Sequence, residues 1–127
     1  MAVTTTNGIR VQVATMYMSD RSAPREGKFL FAYHITISNN GDETAQLLRR
    51  HWIITDAEGD VQEVRGDGVV GEQPVIQPGN SYEYTSYCDL KTNVGTMQGS
   101  YTMVRAGGET FDAQIAPFTL AVPNALN

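Results

Sequence analysis

Apolar and polar residues alternate with a period of two through most of this chain, and a helical period is nowhere sustained. Lys28 to Ser38 shows the alternation best. Phe29, Phe31, Tyr33, Ile35 and Ile37 fall on one side; Leu30, Ala32, His34 and Thr36 fall on the other. That parity predicts a strand whose first set faces a core. Ile9, Val11 and Val13 alternate with Arg10, Gln12 and Ala14, which predicts a half-buried strand running on towards Met18 with a bulge near Thr15. A hairpin is predicted from Ala45–Thr55 and Asp60–Arg65, turning at Asp56-Ala57-Glu58-Gly59. Tyr82 to Asp89 and Thr110 to Leu120 read as further strands, as does the stretch carrying Met97, Gly99, Tyr101 and Met103 on one face. Asn39-Asn40-Gly41-Asp42, Gln77-Pro78-Gly79-Asn80 and Gly107-Gly108 mark turns between them. Seven or eight strands at short spacing make an all-β chain, a β-sandwich.

Several positions break the pattern. Leu48, Arg50, Trp52 and Ile54 share one parity, and Leu47, Arg49, His51 and Ile53 the other, so neither face is wholly apolar. The arginines are therefore placed where the strand leaves the core. Gly99 inside a strand predicts a bulge or a close backbone contact, and Pro117 an edge strand or a bend. The spacing Ile76-x-Pro78-Gly79-x-x-Tyr82 matches the corner of sandwich domains where a tyrosine hydroxyl ties back to upstream backbone, with Tyr84 able to serve instead. The polar, threonine-rich start, Met1 to Gly8, is expected to fray, and the tail from Val122 to end loosely. One domain over residues 1–127, ordered from about 8 to 121, is the expectation for 127 residues.

Composition narrows the classes. A net charge of −5 argues against duplex nucleic acid as a partner. A single cysteine excludes an intrachain disulfide and fits a reducing compartment. The start MAVTTTNGIR has neither the basic nor the apolar region of a signal peptide, and no apolar run approaches the ~20 residues that span a bilayer, so a cytoplasmic protein without membrane insertion is expected.

Candidate chemistry concentrates between Leu47 and Gly79. Gly66-x-Gly68-x-x-Gly71 has the dinucleotide spacing but lacks the following helix that would receive a pyrophosphate, because Val69, Val70, Pro74 and Pro78-Gly79 leave no room for one. A weaker possibility is a phosphate nest formed by Gly66, Gly68 and Gly71 with Arg65, Arg49 and Arg50. The alternative is a tight loop or bulge whose glycines meet backbone constraints. Asp56, Glu58, Asp60, Glu63, Asp67 and Glu72 lack calcium-loop spacing, and strand parity would scatter them, so no metal ligands are assigned. Arg21, Arg25 and Lys28 make either a solvated loop or an anion-attracting lip. His34 has no second ligand at metal spacing, and Cys88 reads as a small buried hydrophobe with no activating base. No catalytic residues and no cofactor are assigned.

The segments RRHW, EVRGDGVVGEQP, PG, YTS and GTMQGSY follow one another in an order that closely resembles the ApaG family of small bacterial proteins, from about Ile9 to Phe118. The resemblance implies an immunoglobulin or fibronectin type III-like sandwich without an established enzymatic activity. It also carries a link, under the label CorD, to cobalt resistance and magnesium efflux. Family genes often lie beside a diadenosine tetraphosphate hydrolase. Related domains in eukaryotic F-box and polymerase-interacting proteins suggest protein binding. The resulting expectation is a non-enzymatic module that binds an unidentified protein partner. The alternative is a module binding a pyrophosphate-containing nucleotide through Gly66 to Gly71, which a Gly68→Ala/Arg65→Ala variant would abolish without loss of fold.

Overall fold

The computed structural model describes residues 2–125. Nine strands follow one another: β1 (Ala2–Thr6), β2 (Ile9–Tyr17), β3 (Phe29–Asn39), β4 (Ala45–Asp56), β5 (Val61–Asp67), β6 (Val75–Ile76), β7 (Ser81–Leu90), β8 (Val94–Arg105) and β9 (Thr110–Ala121). One sheet has the order β1-β2-β3-β7 and the other β5-β4-β8-β9, with β6 pairing the start of β4. The pairings are antiparallel, so the expected fibronectin-like sandwich is the fold. No helix among the described residues is long and apolar enough to cross a membrane.

Alternation in β3 works as anticipated. Phe31, Tyr33, Ile35 and Ile37 are buried and face Trp52, Met97, Tyr101 and Met103 of the opposite sheet within one core. The core also takes Ile9, Val11, Val13, Leu47, Phe118 and Leu120. Its one buried polar side chain among the described residues, Asn39, donates to the carbonyls of Glu43 and Ile76 and accepts from the Gly41 N–H. That satisfies the group at the turn where β3 passes to the second sheet.

The threonine-rich start is not frayed. Ala2 to Thr6 pairs with Ile9 to Val13 through a turn at Asn7 and Gly8, both at positive φ. Threonine's β-branched side chain suits an edge strand, and its hydroxyl gives no apolar signal for the sequence pattern to register. The loop 19–27 folds into two short 3₁₀ turns, Ser19–Arg21 and Pro24–Glu26.

A bulge at Leu48 decides the geometry of β4. Leu47 pairs with Met103 and Arg49 with Thr102, so one extra residue sits in β4 between them. The bulge brings Ala45 and Leu47 onto the same inner face as Arg50, Trp52 and Ile54. The strand does not leave the core at the arginines, because buried Leu47 and Trp52 stand on either side of them. Arg50 faces inward and Arg49 outward. Gly99, opposite Trp52, and Pro117 lie at a second irregularity, where Met97 pairs with Phe118 and Gly99 with Ile115. Pro117 therefore sits on an edge strand at a bulge, where its missing N–H interrupts no ladder.

The two long sides of the sandwich differ. β9 packs closely against β1 and β2, whereas β5 and β7, each the edge of its own sheet, stay apart.

Candidate functional site

Gly66 to Gly71 is a braced loop. The Gly68 N–H donates to the bulge carbonyl of Leu48. Val69 and Glu72 exchange N–H to carbonyl bonds of 2.8 and 2.9 Å across a turn that puts Val70 and Gly71 at positive φ. Val69 is buried in the core, Gln73 Nε2 donates to the Leu48 carbonyl, and the Tyr82 hydroxyl donates to the Glu72 carboxylate. Two of the loop's N–H groups, those of Gly68 and Val69, are thus used within the protein. The glycines answer backbone constraints. A Cβ on Gly68, at φ +63, would lie 2.2 Å from the Glu72 carbonyl oxygen. Gly68→Ala would therefore disturb the loop whatever it binds, so it cannot separate binding from folding.

Arg50 explains Gly66. Its Nη1 donates to the carbonyls of Asp67 and Gly68, both at 2.9 Å. The guanidinium lies against Gly66, where a Cβ would come within 2.7 Å of Nη2. Only a residue without a side chain lets the cation lie there. Cross-strand pairing sets Arg49 opposite Asp67, and His51 opposite Arg65, on the outer face. Arg65 also lies 3.6 Å from Glu63. Of the six residues of the expected phosphate site, Arg49, Arg50, Arg65 and Gly66 line one hollow of about 270 Å³ with His51, Asp67 and Thr102, whereas Gly68 and Gly71 do not line it.

The acidic hairpin also gathers in an unforeseen way. Asp56 accepts from the Glu58 and Asp60 N–H groups, which fixes the turn. Lys91 reaches in from the β7–β8 turn, close to Asp60 and 3.7 Å from Asp56 and Glu58. These three carboxylates surround a lysine instead of scattering over two faces. Among the described residues, no group of three or more His, Cys, Asp or Glu is arranged to hold a metal ion. His34 bonds both ring nitrogens to Thr85 and Glu83 on the neighbouring strand. The backbone tie expected of Tyr82 or Tyr84 is replaced by side-chain bonds: Tyr82 to Glu72, and Tyr84 to the Tyr101 hydroxyl across the core.

Two adjoining open features lie on the side between β5 and β7. A cleft of about 300 Å³ is lined by Tyr33, Arg50, Trp52, Val64, Ser86 and Cys88 among others. It adjoins a second hollow of about 650 Å³ towards Lys28 and Lys91, and the two share Ile54, Gln62 and Asp89. Sequence pattern alone does not reveal this cleft, because it depends on which strands become edges. The signal that was present is the inward parity of Arg50, Trp52 and Ile54.

Burial pushes the Cys88 thiol from 9.0 up to about 11, and burial likewise raises Tyr84 and Tyr101 above 10.0. The unfolded chain loses these protons first, so the contribution is complete below pH 9 and declines as pH rises towards 11. Each group within its window costs about 1.4 kcal/mol per pH unit. Urea titrations are expected to show a steady loss of stability above pH 9. A flat profile there would mean these groups are not buried as described.

A family model described as the ApaG domain matches residues 19–105. Protein ApaG of Anaeromyxobacter dehalogenans (strain 2CP-C) is 53% identical over 127 residues, covering 100% of both chains. Protein ApaG of Pseudomonas entomophila (strain L48) is 55% identical over 119 residues, 94% of each. A crystal structure from Bordetella pertussis, described under the name ApaA, superposes with a TM-score of 0.90 at 48% identity, covering 92% of this chain and 95% of that one. None of these names denotes an enzyme. The chain belongs to the ApaG family.

Proposed function

We propose that this chain is a non-enzymatic binding module that takes an extended segment of a protein partner along the open side of its sandwich. The observation that carries the reading is the pair of free edges, β5 and β7, flanking the cleft over Trp52. Edge strands present unpaired N–H and C=O groups that a partner strand can complete. The side chains of β5 are nearly all exposed, so a partner meets them without repacking the core. The nucleotide reading draws support from Arg49, Arg50, His51, Arg65 and Gly66, which line one hollow of about 270 Å³. It ranks second because the Gly68 and Val69 N–H groups and Nη1 of Arg50 already have protein partners. On this view the protein acts in the cytoplasm, and any part in cobalt resistance or magnesium efflux runs through the partner.

The test is a photo-crosslinking residue placed at Gln62 in cells, with Thr96 on the outer face as the comparison. A discrete adduct is expected from Gln62 only. The captured protein, once purified, should bind the wild type and lose affinity about 10-fold or more for Gln62→Trp, which fills the cleft from an exposed position. Equal adducts at both sites, or binding indifferent to Gln62→Trp, would overturn the reading.

A further inference from the structure

The inner face of the β4–β5 hairpin is a ladder of three rungs. Arg50 pairs with Gly66, Trp52 with Val64, and Ile54 with Gln62. Alternate residues on a strand are about 6.8 Å apart, which is also the spacing of alternate side chains in any extended peptide. The rungs differ in chemistry: a guanidinium at one end, half-buried Val64 beside the buried Trp52 in the middle, and Ile54 with Gln62 beyond. All three rungs line the cleft, except for Gly66, which has no side chain to offer.

Arg50 is the cation that lines the cleft. Lys91 is surrounded by Asp56, Glu58 and Asp60; Arg105 meets Glu43 and Glu109; Arg65 meets Glu63. Arg50 is half-buried and, like Arg10, Arg21, Arg25, Lys28 and Arg49, pairs with no carboxylate among the described residues; its Nη1 donates to two carbonyls. A guanidinium away from bulk water is stabilised most by a carboxylate, which it can grip through two parallel N–H groups. Asp89 borders the far end with Ile54 and Gln62, but it is exposed between buried Cys88 and Leu90, so alternation along β7 turns its side chain to the outer face. The cleft is therefore positive at the Arg50 end.

We propose that the cleft between β5 and β7 recognises an extended acidic segment of a partner protein, with an Asp or Glu side chain on Arg50 and apolar side chains two and four residues away against Val64 and Ile54. The inference rests on the reading of the open side as a partner-binding edge, and it names the partner's chemistry. Gly66 is part of the recognition, because a side chain there would displace the guanidinium from its place at the end of the cleft.

The test uses the intact protein and two acetylated, amidated peptides: glutamate-threonine-valine-threonine-isoleucine and the same residues in reverse order, which covers both strand directions. Each is compared with a version carrying glutamine in place of glutamate. Amide and side-chain NMR shifts of Arg50, Trp52, Ile54, Gln62 and Val64 report binding. One glutamate peptide is expected to saturate those shifts, and its glutamine version to bind about 10-fold more weakly. In Arg50→Gln the two versions should bind alike, while Arg50→Lys keeps part of the preference. Should Arg50→Gln fail to fold, the wild-type comparison still decides. Equal affinity of the two versions for the wild type, or no saturable shift with either order, overturns the proposal. If that happens while Gln62 still crosslinks a partner, the acidic specificity is wrong and the edge reading stands. If Gln62 crosslinks nothing, the edge reading fails with it.

Discussion

Trp52→Ala is expected to lower stability by about 3–5 kcal/mol, the range for removing a large buried aromatic. Trp52 is 2% exposed and stands at the centre of the core's aromatic packing. Its ring lies 5.3 Å from Tyr33, 5.9 Å from Phe118 and 6.3 Å from Tyr101, each near an edge-to-face arrangement. Those partners come from both sheets, so the side chain is what the two layers share. Alanine leaves a void that strands fixed by backbone ladders cannot close. Denaturant titration should show the loss in the midpoint. A loss below about 1 kcal/mol, the size of an ordinary surface change, would contradict this packing.

Gly99→Ala is the second large effect. The added Cβ would stand 1.9 Å from the His51 carbonyl oxygen and 3.2 Å from the Trp52 Cα. Both are backbone atoms of β4, so no side-chain rotation relieves the clash; β4 or β8 must move. The displacement falls beside Trp52, which couples it to the core. A loss of about 3 kcal/mol, at the upper end for overpacking, is expected from thermal or denaturant unfolding. Gly107→Ala is the control, since nothing lies within 4 Å of the added carbon there. Equal stability of the two variants would mean that β4 and β8 are not in this register.

What could be read from the chain and what could not divide along physical lines. The β3 core face and the β4–β5 hairpin were legible because alternation and turn residues are local signals. The two faces of β4 were not, because the Leu48 bulge shifts the phase by one residue and puts Ala45 and Leu47, instead of Leu48, on the inner face with Arg50, Trp52 and Ile54. A doubled leucine ahead of a doubled arginine is what such an insertion leaves in the sequence. β1 was missed because threonine gives strand propensity without hydrophobic contrast. The carboxylates around Lys91 were missed because the turn, rather than strand parity, sets their positions. The six residues of the glycine loop and arginines were singled out for their types. The structure gives Gly66, Gly68 and Arg50 a shared structural task, and it brings Arg49, Arg50, Arg65 and Gly66 to one hollow that Gly68 and Gly71 do not line. The cleft itself is a property of topology, since only the order of strands determines that β5 and β7 become the free edges.

The central claim is that the open side between β5 and β7, and not the glycine loop, is the surface that binds. Its most direct test is an amide shift map of the isotopically labelled protein, titrated in parallel with diadenosine tetraphosphate and with the glutamate peptides. The account predicts saturable shifts from a peptide along residues 61–67 and 82–90, and none from the nucleotide at millimolar concentration. Saturable nucleotide shifts confined to residues 65–73 and 49–51, with no response to either peptide, would contradict it.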